Sequence, residues 1–319
     1  MAHHVEQMAY VGQTPWHGLG NPLSANQPLE VWQQQAGMDW EIKSSPIHFT
    51  SEDNDAPGLL LPFPQNKVLY RSDTLAPLSV VSQRYQVVQP REILEFYRDL
   101  TEVSGFQLET AGVLKGGKKV WALARTGLST TLQANDTTNA YILLATACDG
   151  SLATTAQFTA VRVVCNNTLA IAFDDNKGAV KVPHSTTFNA EAVKRQLGIS
   201  VSSWDTFMYR MKQLSQRRVK QAEAEAFFRA LFTNTLSRPS AKANEQSMTK
   251  ALSIYNGRGR GAELGSSKGT ALGLLNAVTE FVDHERRARN TDYRLDSAWF
   301  GQGAVLKQKA LDDTLLMLA

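Results

Sequence analysis

The sequence is poor in cysteine and in long apolar runs, and each shortage excludes a class of protein. Cys148 and Cys165 are the only cysteines in 319 residues, whereas a secreted chain that depends on disulfides carries more. Both lie in strand-like apolar runs, so we expect small buried side chains rather than redox or nucleophilic groups. No stretch approaches the roughly 18 consecutive apolar residues of a membrane span, and the first residues do not resemble a signal peptide. These features predict a cytoplasmic protein without a membrane partner.

Metal-binding patterns are equally scarce. The six histidines are scattered, and the two cysteines do not have the spacing of zinc ligands. His17 stands in a Pro-Trp-His-Gly-Leu-Gly run that is typical of a packed turn, with a catalytic role as the open alternative. We therefore expect no cofactor, apart from the divalent metal considered below.

The charge of the chain is unevenly distributed. Hydrophobic residues make up 43% and charged residues 20%, as in ordinary globular proteins. Residues 1–189 contain 13 Lys or Arg against 17 Asp or Glu, whereas residues 190–319 contain 20 against 13. Concentrated positive charge attracts polyanions, so the basic C-terminal part favours nucleic acid as a partner.

The pattern of the N-terminal part predicts mainly strands. Residues to about 65 are rich in Pro, Gly, Asn and Gln and indicate loops with short elements. The periodicity then predicts strands within Val68–Val88 and a helix over Arg91–Val103 that Pro90 opens. Further elements follow from turn dipeptides and short apolar runs. They are a hairpin over Val113–Trp121, a second hairpin over Tyr141–Val164, a short helix at Leu169–Phe173 after a turn and N-cap at Asn166–Thr168, and a strand over Lys177–His184.

After Asn189 the pattern becomes that of amphipathic helices. Two apolar stripes are predicted to pack, one with Trp204, Phe207, Met208, Met211 and Leu214, the other with Ala226, Phe227, Ala230 and Leu231. The chain is thus predicted to be α+β, with a partly antiparallel sheet and one packed helix in the N-terminal half and a helical C-terminal half. The predicted parts are 1–188 and 189–319, and one continuous elaborated domain is the alternative.

A glycine-rich segment from Asn256 to Thr270 carries Arg258, Arg260 and Lys268 before a predicted helix. Backbone N–H groups of such a loop and of a helix N-terminus can bind phosphate, so the segment predicts a phosphate cradle. A flexible solvated loop is the alternative. The segment is not a Walker loop, because Ser267 stands where that motif needs Gly before Lys.

The helix after this loop carries acidic and basic groups. Glu280, Asp283 and His284 share one face at α-helical spacing, which suits a divalent metal or, alternatively, ion pairs with arginines. The arginines are Arg286, Arg287 and Arg289, which the helix dipole favours near the C-terminus whether or not they bind a ligand.

Four separated runs together resemble the phage/plasmid-like protein family of domains of unknown function. They are Trp16–Gly20, Arg162–Leu169, Asn276–His284 and Ser297–Gly301. The resemblance spans nearly the whole chain and implies a gene carried by bacteriophages, prophages or plasmids, and hence a bacterial cytoplasm. It implies no established activity and no site residues.

These observations leave three functions open. The first is binding of single-stranded DNA in recombination or replication, without enzymatic activity, by analogy with phage annealing proteins of the Erf and RecT type. Its predicted contacts are Arg258, Arg260, Lys268, Arg286, Arg287, Arg289, Lys118 and Lys119, with Trp121 or Tyr141 as stacking platforms unless they belong to the core. The second is a metal-dependent enzyme acting on nucleic acid at Glu280, Asp283 and His284. The third is binding of a host protein to counter a defence system. Self-association is open in each.

Overall fold

The structure is a computed structural model that describes residues 8–12, 20–52, 58–104, 106–133, 135–162, 167–170, 179–201, 204–235 and 241–318. The N-terminal half consists mainly of strands and the C-terminal half of helices, with 41% helix and 32% strand. The predicted α+β class is thereby confirmed. His17 and Cys165 lie outside the described residues.

The described strands fall into two sheets. They are β1 Met8–Val11, β2 Asn21–Leu23, β3 Ile42–Thr50, β4 Leu60–Arg71, β5 Pro77–Ser82, β6 Gln107–Leu114, β7 Lys119–Thr131, β8 Thr137–Ala147, β9 Thr154–Arg162, β10 Asn167–Ala170 and β11 Ala179–Val182.

The described helices lie mostly after residue 189. They are α1 Leu29–Gln35, α2 Pro90–Ser104, α3 Ala190–Val201, α4 Trp204–Gln216, α5 Gln221–Thr235, α6 Ala241–Ser253, α7 Ala271–Glu280, α8 Thr291–Phe300 and α9 Gln302–Leu316. A π-helical turn follows α6 at Ile254–Arg258 and another follows α7 at Phe281–Glu285. Within the described part of the chain, no helix combines the length and the apolar character that crossing a bilayer requires.

The chain forms two compact units of interleaved segments. Unit 1 contains residues 1–124, 142–156 and 179–196, and unit 2 contains 125–141, 157–178 and 197–319. The predicted parts 1–188 and 189–319 describe how secondary structure is distributed along the chain. The two units divide the chain differently from these parts, because residues 125–141 and 157–178, which include strand segments, belong to unit 2 together with the C-terminal helices.

Unit 1 contains most of the antiparallel pairing and the helix predicted after Pro90. Strand β1 pairs parallel to β2 and antiparallel to β6, and β3, β4 and β5 form a separate antiparallel sheet. Helix α2 begins at Pro90 as predicted, since proline suits the first helical position. The hydroxyl of its buried Tyr97 lies within hydrogen-bond distance of the carbonyl oxygens of Ala122 (2.7 Å) and Ile142 (3.0 Å) and shares its one hydrogen between them, which ties the helix to β7 and β8.

Both predicted hairpins are confirmed. A short 3₁₀ turn at Lys115–Gly117 connects β6 to β7, and Gly116 and Gly117 have φ angles of 73° and 96° that glycine adopts without strain. The second hairpin joins β8 to β9 through Asp149 and Gly150.

The prediction of loops up to residue 65 is wrong for β3 and the beginning of β4. The ladder between these strands runs from Ile42 opposite Arg71 to Thr50 opposite Leu60, with an irregularity after Pro46. Prolines misled the prediction, because they are compatible with strands that have a free edge.

Unit 2 packs helices α4 to α9 with the remaining segments of β7, β8 and β9 and with β10. The first apolar stripe, on α4, is buried as predicted. The second is displaced in phase: α5 buries Ala224, Phe228, Leu231 and Phe232 rather than Ala226, Phe227 and Ala230.

The helix predicted at Leu169–Phe173 is wrong in its described part. Asn167–Ala170 is strand β10, which pairs antiparallel with the end of β9, so Thr168 lies opposite Val161. A short apolar run does not distinguish strand from helix by itself. Here the run forms a strand because it pairs with the edge of β9. The last predicted strand is confirmed as β11.

Candidate nucleic-acid interface

The segment from Asn256 to Thr270 joins α6 to α7 in unit 2 and is folded on itself by turns. The N–H groups of Ser267 and Lys268 both donate to the carbonyl oxygen of Leu264, at 2.9 and 2.8 Å, and the N–H of Ala262 donates to the carbonyl of Gly259 at 3.1 Å. The backbone of this glycine-rich loop is therefore ordered by its own hydrogen bonds.

The N-terminus of α7 is likewise occupied from within the protein. The hydroxyl of Thr270 caps the helix by accepting from the N–H of Gly273 at 3.0 Å, and the N–H of Ala271 donates to the carbonyl of Arg217 at 2.9 Å. These N–H groups are not available to an anion. The predicted phosphate cradle thus loses the N–H groups of Ser267, Lys268, Ala271 and Gly273 and keeps its cationic side chains.

A buried network of polar side chains ties the loop to strands of the same unit. Asp136 precedes β8 and Arg162 ends β9; the guanidinium of Arg162 donates to both carboxylate oxygens of Asp136, at 2.6 and 3.0 Å. From the loop, the Ser266 hydroxyl donates to Asp136, and the Ser267 hydroxyl accepts from Arg162 at 2.9 Å. Asn276 of α7 also donates to Ser267, at 3.0 Å. All of these side chains except Asn276 are buried, so the network fixes the loop in place.

Glu280 holds the opposite end of the loop. Its two carboxylate oxygens accept from the N–H of Arg260 at 3.1 and 3.0 Å. Burial raises the pKa of this carboxyl, although the N–H and the positive charge of Arg260 act in the other direction. A side chain at Gly259 would come within 2.6 Å of Ile254 Cγ2, so the close approach of this backbone requires glycine.

The predicted cations of unit 2 reach the surface. Arg258, Arg260, Lys268, Arg287 and Arg289 are exposed, and Arg286 is half-buried, which lowers the pKa of its guanidinium by desolvation. Several have acidic or aromatic neighbours. Arg258 lies 3.4 Å from Glu285, and Lys250 lies 3.9 Å from the same carboxylate. Lys268 pairs with Glu263 at 2.6 Å. The Arg289 guanidinium lies 5.7 Å from the centre of the Tyr293 ring.

The remaining candidates, Lys118, Lys119 and Trp121 in unit 1 and Tyr141 in unit 2, are less accessible. Lys119 is only 4% exposed and Lys118 is half-buried, so Lys119 does not present its charge to solvent. Trp121 and Tyr141 are 1% and 4% exposed. Their rings belong to the core, which rules them out as stacking platforms.

Two of the three residues of the predicted metal site, Glu280 and Asp283, make other contacts. The i, i+3, i+4 argument assumes an α-helix, but α7 ends at Glu280 and a π-helical turn with i→i+5 bonds follows. Asp283 accepts from Lys307 at 2.8 Å and from the Thr168 N–H at 2.8 Å, while Glu280 accepts from Arg260. No group of three His, Cys, Asp or Glu side chains in the described ranges is arranged to hold a metal ion. The arrangement of Glu280, Asp283 and His284 gives the metal prediction no support.

Two small pockets adjoin the network. One has mainly apolar walls, including Phe207, Met211 and Leu272, and a cavity volume of ≈ 40 Å³. The other offers ≈ 10 Å³ and is lined by Tyr255 and Glu280, among others. One water molecule needs a cavity of roughly 10–15 Å³. The second pocket is therefore the size of a single water molecule and too small for a substrate.

Sequence reasoning missed the residues that hold the loop. Asp136 carries no local motif, and neither does Lys307, which holds Asp283 rather than the loop; Ser266 and Arg162 entered only as members of the glycine-rich segment and of a resembling run. Their partners lie far away in sequence, 26 residues between Arg162 and Asp136 and 130 between Ser266 and Asp136. A buried charge is recognisable only when the fold shows its partner.

The sequence model of one protein family, "Domain of unknown function (DUF932)", matches residues 77–299. No curated protein matches the chain. No solved structure matches it either. The resemblance to a family of domains of unknown function is confirmed at that level, and since the match covers more than half of the sequence, the chain belongs to the DUF932 family of domains of unknown function.

Proposed function

We propose that this protein binds nucleic acid, primarily single-stranded DNA, during recombination or replication of a bacteriophage or plasmid. The observation that carries the proposal is the exposure of Arg258 and Arg260 on a loop whose backbone is fixed by buried contacts. A fixed loop loses little conformational entropy when it binds, so its cations contribute more to affinity than those of a flexible loop.

The energetics of phosphate binding suit these side chains. Each phosphate neutralised by Arg or Lys releases counterions, and this release dominates non-specific affinity for nucleic acid. The acidic neighbours Glu263 and Glu285 do not prevent this, because exposed ion pairs contribute only about 0–1 kcal/mol and phosphate can replace them.

A preference for single strands requires an exposed aromatic ring as well as cations. Tyr209 on α4 is 62% exposed. Stacking of a base on such a ring contributes roughly 1–3 kcal/mol and is available only when bases are not paired in a duplex. Tyr209 therefore replaces Trp121 and Tyr141 as the proposed stacking platform.

The test is a band-shift series with single-stranded and duplex oligonucleotides at low and moderate salt, with and without magnesium. Arg258→Ala combined with Arg260→Ala is expected to weaken binding and to reduce the slope of log affinity against log salt by about 0.7 for each phosphate that is no longer neutralised. Arg229→Ala combined with Lys309→Ala removes the same charge from helices of the same unit and serves as the matched control.

Absent binding, or binding that does not respond to salt, contradicts the proposal. Magnesium-dependent cleavage of the oligonucleotide would instead identify an enzyme.

A further inference from the structure

The β3–β4 hairpin of unit 1 carries an exposed apolar face. In the register of the two strands, Ile47 lies opposite Phe63 and Phe49 lies opposite Leu61. Because directly opposed residues, and residues two apart in a strand, share a side of the ladder, these four side chains form one surface, the ribbon face. Phe49 is 49% and Phe63 44% exposed, and the two aliphatic side chains are half-buried.

The ribbon face belongs to a part of the sheet with only two strands. Strand β5 pairs with β4 only from Asn66 to Tyr70, so the segment that carries the ribbon face has no third strand beside it among the described residues. An isolated two-stranded ribbon is of marginal stability in water. A partner that covered the ribbon face would stabilise the segment.

Prolines restrict how such a partner can bind. Pro46, Pro62 and Pro64 occur within these strands, and proline lacks the N–H that an added strand would need as donor. Extension of the sheet along its edge is therefore disfavoured, as in natural edge strands that avoid aggregation. Contact through the side chains of the ribbon face is the remaining mode.

The charge of the hairpin indicates the chemistry of the partner. Between Ser44 and Asn66, the part that includes the ribbon face, the sequence contains Glu52, Asp53 and Asp55 and neither Lys nor Arg, whereas Lys43, Lys67 and Arg71 lie at the other end of the two strands. A polyanion is repelled by this charge. The complementary partner is a protein surface that places an exposed aromatic or aliphatic group beside basic side chains.

Unit 2 of the same protein presents such a surface. Tyr293 on α8 is 40% exposed, the guanidinium of Arg289 lies 5.7 Å from the centre of its ring, and Arg287 is exposed two residues earlier. We propose that the ribbon face of one copy binds the Arg287–Arg289–Tyr293 surface of a second copy, so that the protein associates head to tail.

The charges also distinguish this arrangement from a symmetric one. Two ribbon faces packed against each other would bring together two stretches that each carry acidic residues and neither Lys nor Arg between Ser44 and Asn66, which is unfavourable at low salt. A head-to-tail contact pairs opposite charges instead and leaves each copy with one free face of each kind. Such contacts close into rings or extend into chains.

The test is the solution mass, measured by light scattering and sedimentation over a wide range of protein concentration after removal of nucleic acid. The wild-type protein is expected to associate, and rising salt is expected to weaken the association. Phe49→Ser combined with Phe63→Ser should lower the association constant about tenfold or more, as truncation of central aromatic contacts usually does. Val80→Ser combined with Leu316→Ser removes two other exposed apolar side chains and should leave association unchanged.

A mixing experiment tests the head-to-tail geometry. Arg287→Ser combined with Arg289→Ser should also weaken association, since it disables the other half of the contact. Each variant keeps one intact half, so an equimolar mixture of the phenylalanine and arginine variants should form a one-to-one dimer and nothing larger. Unchanged circular dichroism and thermal unfolding show that the exposed substitutions preserve the fold.

Three results would overturn the proposal. They are a monomer at every concentration, association that the phenylalanine variant does not weaken, and variants that do not pair when mixed. Association that strengthens with salt would point to symmetric packing of two ribbon faces and would overturn the head-to-tail contact as well.

Discussion

The ammonium group of Lys307 lies 2.8 Å from the carboxylate of Asp283, and both side chains are buried. Lys307 also donates to the carbonyl and hydroxyl oxygens of Thr168, at 2.7 and 2.8 Å, and so uses the three hydrogen atoms of its ammonium group. The backbone N–H of Thr168 donates to the Asp283 carboxylate at 2.8 Å. Helix α9, the π-helical turn after α7 and strand β10 are joined by this cluster.

Lys307→Met is expected to destabilise the protein strongly. The substitution leaves the Asp283 carboxylate buried without its counter-charge, and loss of one partner of a buried pair costs about 3–5 kcal/mol. The free energy of unfolding in urea measures the effect. Lys309→Met breaks the partly exposed pair with Asp313 on the same helix, which should contribute less than about 1 kcal/mol.

Removal of both charges separates pairing from packing. Lys307→Met combined with Asp283→Leu should cost less than Lys307→Met alone, because no uncompensated charge remains. A single variant as stable as the Lys309→Met control would show that the pair contributes little.

Local patterns predicted the elements that local interactions specify. The helix from Pro90, the turn at Gly116 and Gly117 and the buried stripe of α4 follow from proline geometry, glycine conformation and helical periodicity, which act over a few residues. Strand β10 was missed because its pairing with β9 is a tertiary property. The long β3 and β4 strands were missed because prolines are usually a sign of loops.

The candidate site was only partly predictable for a related reason. Exposed arginines beside glycines are visible in the sequence, and Arg258 and Arg260 were found in this way. Asp136 and the buried lysine beside Asp283 were not found, and Glu280 was found in a different role, since each contact depends on a partner brought close by the fold. The same fold assigns Asp283 to an ion pair, which helical spacing alone does not reveal.

The stability contributed by Glu280 is expected to depend on pH. Burial raises the pKa of its carboxyl above the ordinary 4.5, so the folded protein binds this proton more tightly than the unfolded chain does. The resulting stabilisation is complete below the unfolded pKa and is lost as pH rises through the raised folded pKa. The cost of Glu280→Gln should therefore be larger at about pH 4 than at about pH 7.

Urea unfolding of both proteins at the two pH values measures this trend, and Glu263→Gln, on the exposed side of the same loop, controls for the loss of a carboxylate. A cost that grows with pH would show that the contacts with Arg260 outweigh burial.

Cys148 is expected to resist thiol reagents in the folded protein. Burial raises the pKa of its thiol to about 12, with the neighbouring Asp149 acting in the same direction. The thiolate, which is the reactive form, is therefore scarce near neutral pH. Alkylation with iodoacetamide, followed by mass spectrometry of the Cys148 peptide, should be slow in buffer and fast in denaturant. Rapid alkylation of the native protein would show that the turn after β8 opens readily.

Arg162→Lys is expected to loosen the glycine-rich loop and to weaken nucleic-acid binding, although Arg258 and Arg260 remain. Lysine keeps the charge but cannot make the two-pronged contact with Asp136 and also reach Ser267. We expect a loss of about 1–3 kcal/mol in stability, with faster amide hydrogen exchange over residues 256–270.

Arg125→Lys is the matched control, because Arg125 lies on β7 of the same unit and donates to Asn139 at 3.2 Å without touching the loop. Affinity for single-stranded DNA should fall for Arg162→Lys and stay unchanged for the control, since only the first substitution releases the backbone that positions Arg258 and Arg260. If exchange in the loop rises while affinity does not change, the fixed loop is not what makes these arginines effective, and their charge alone accounts for binding.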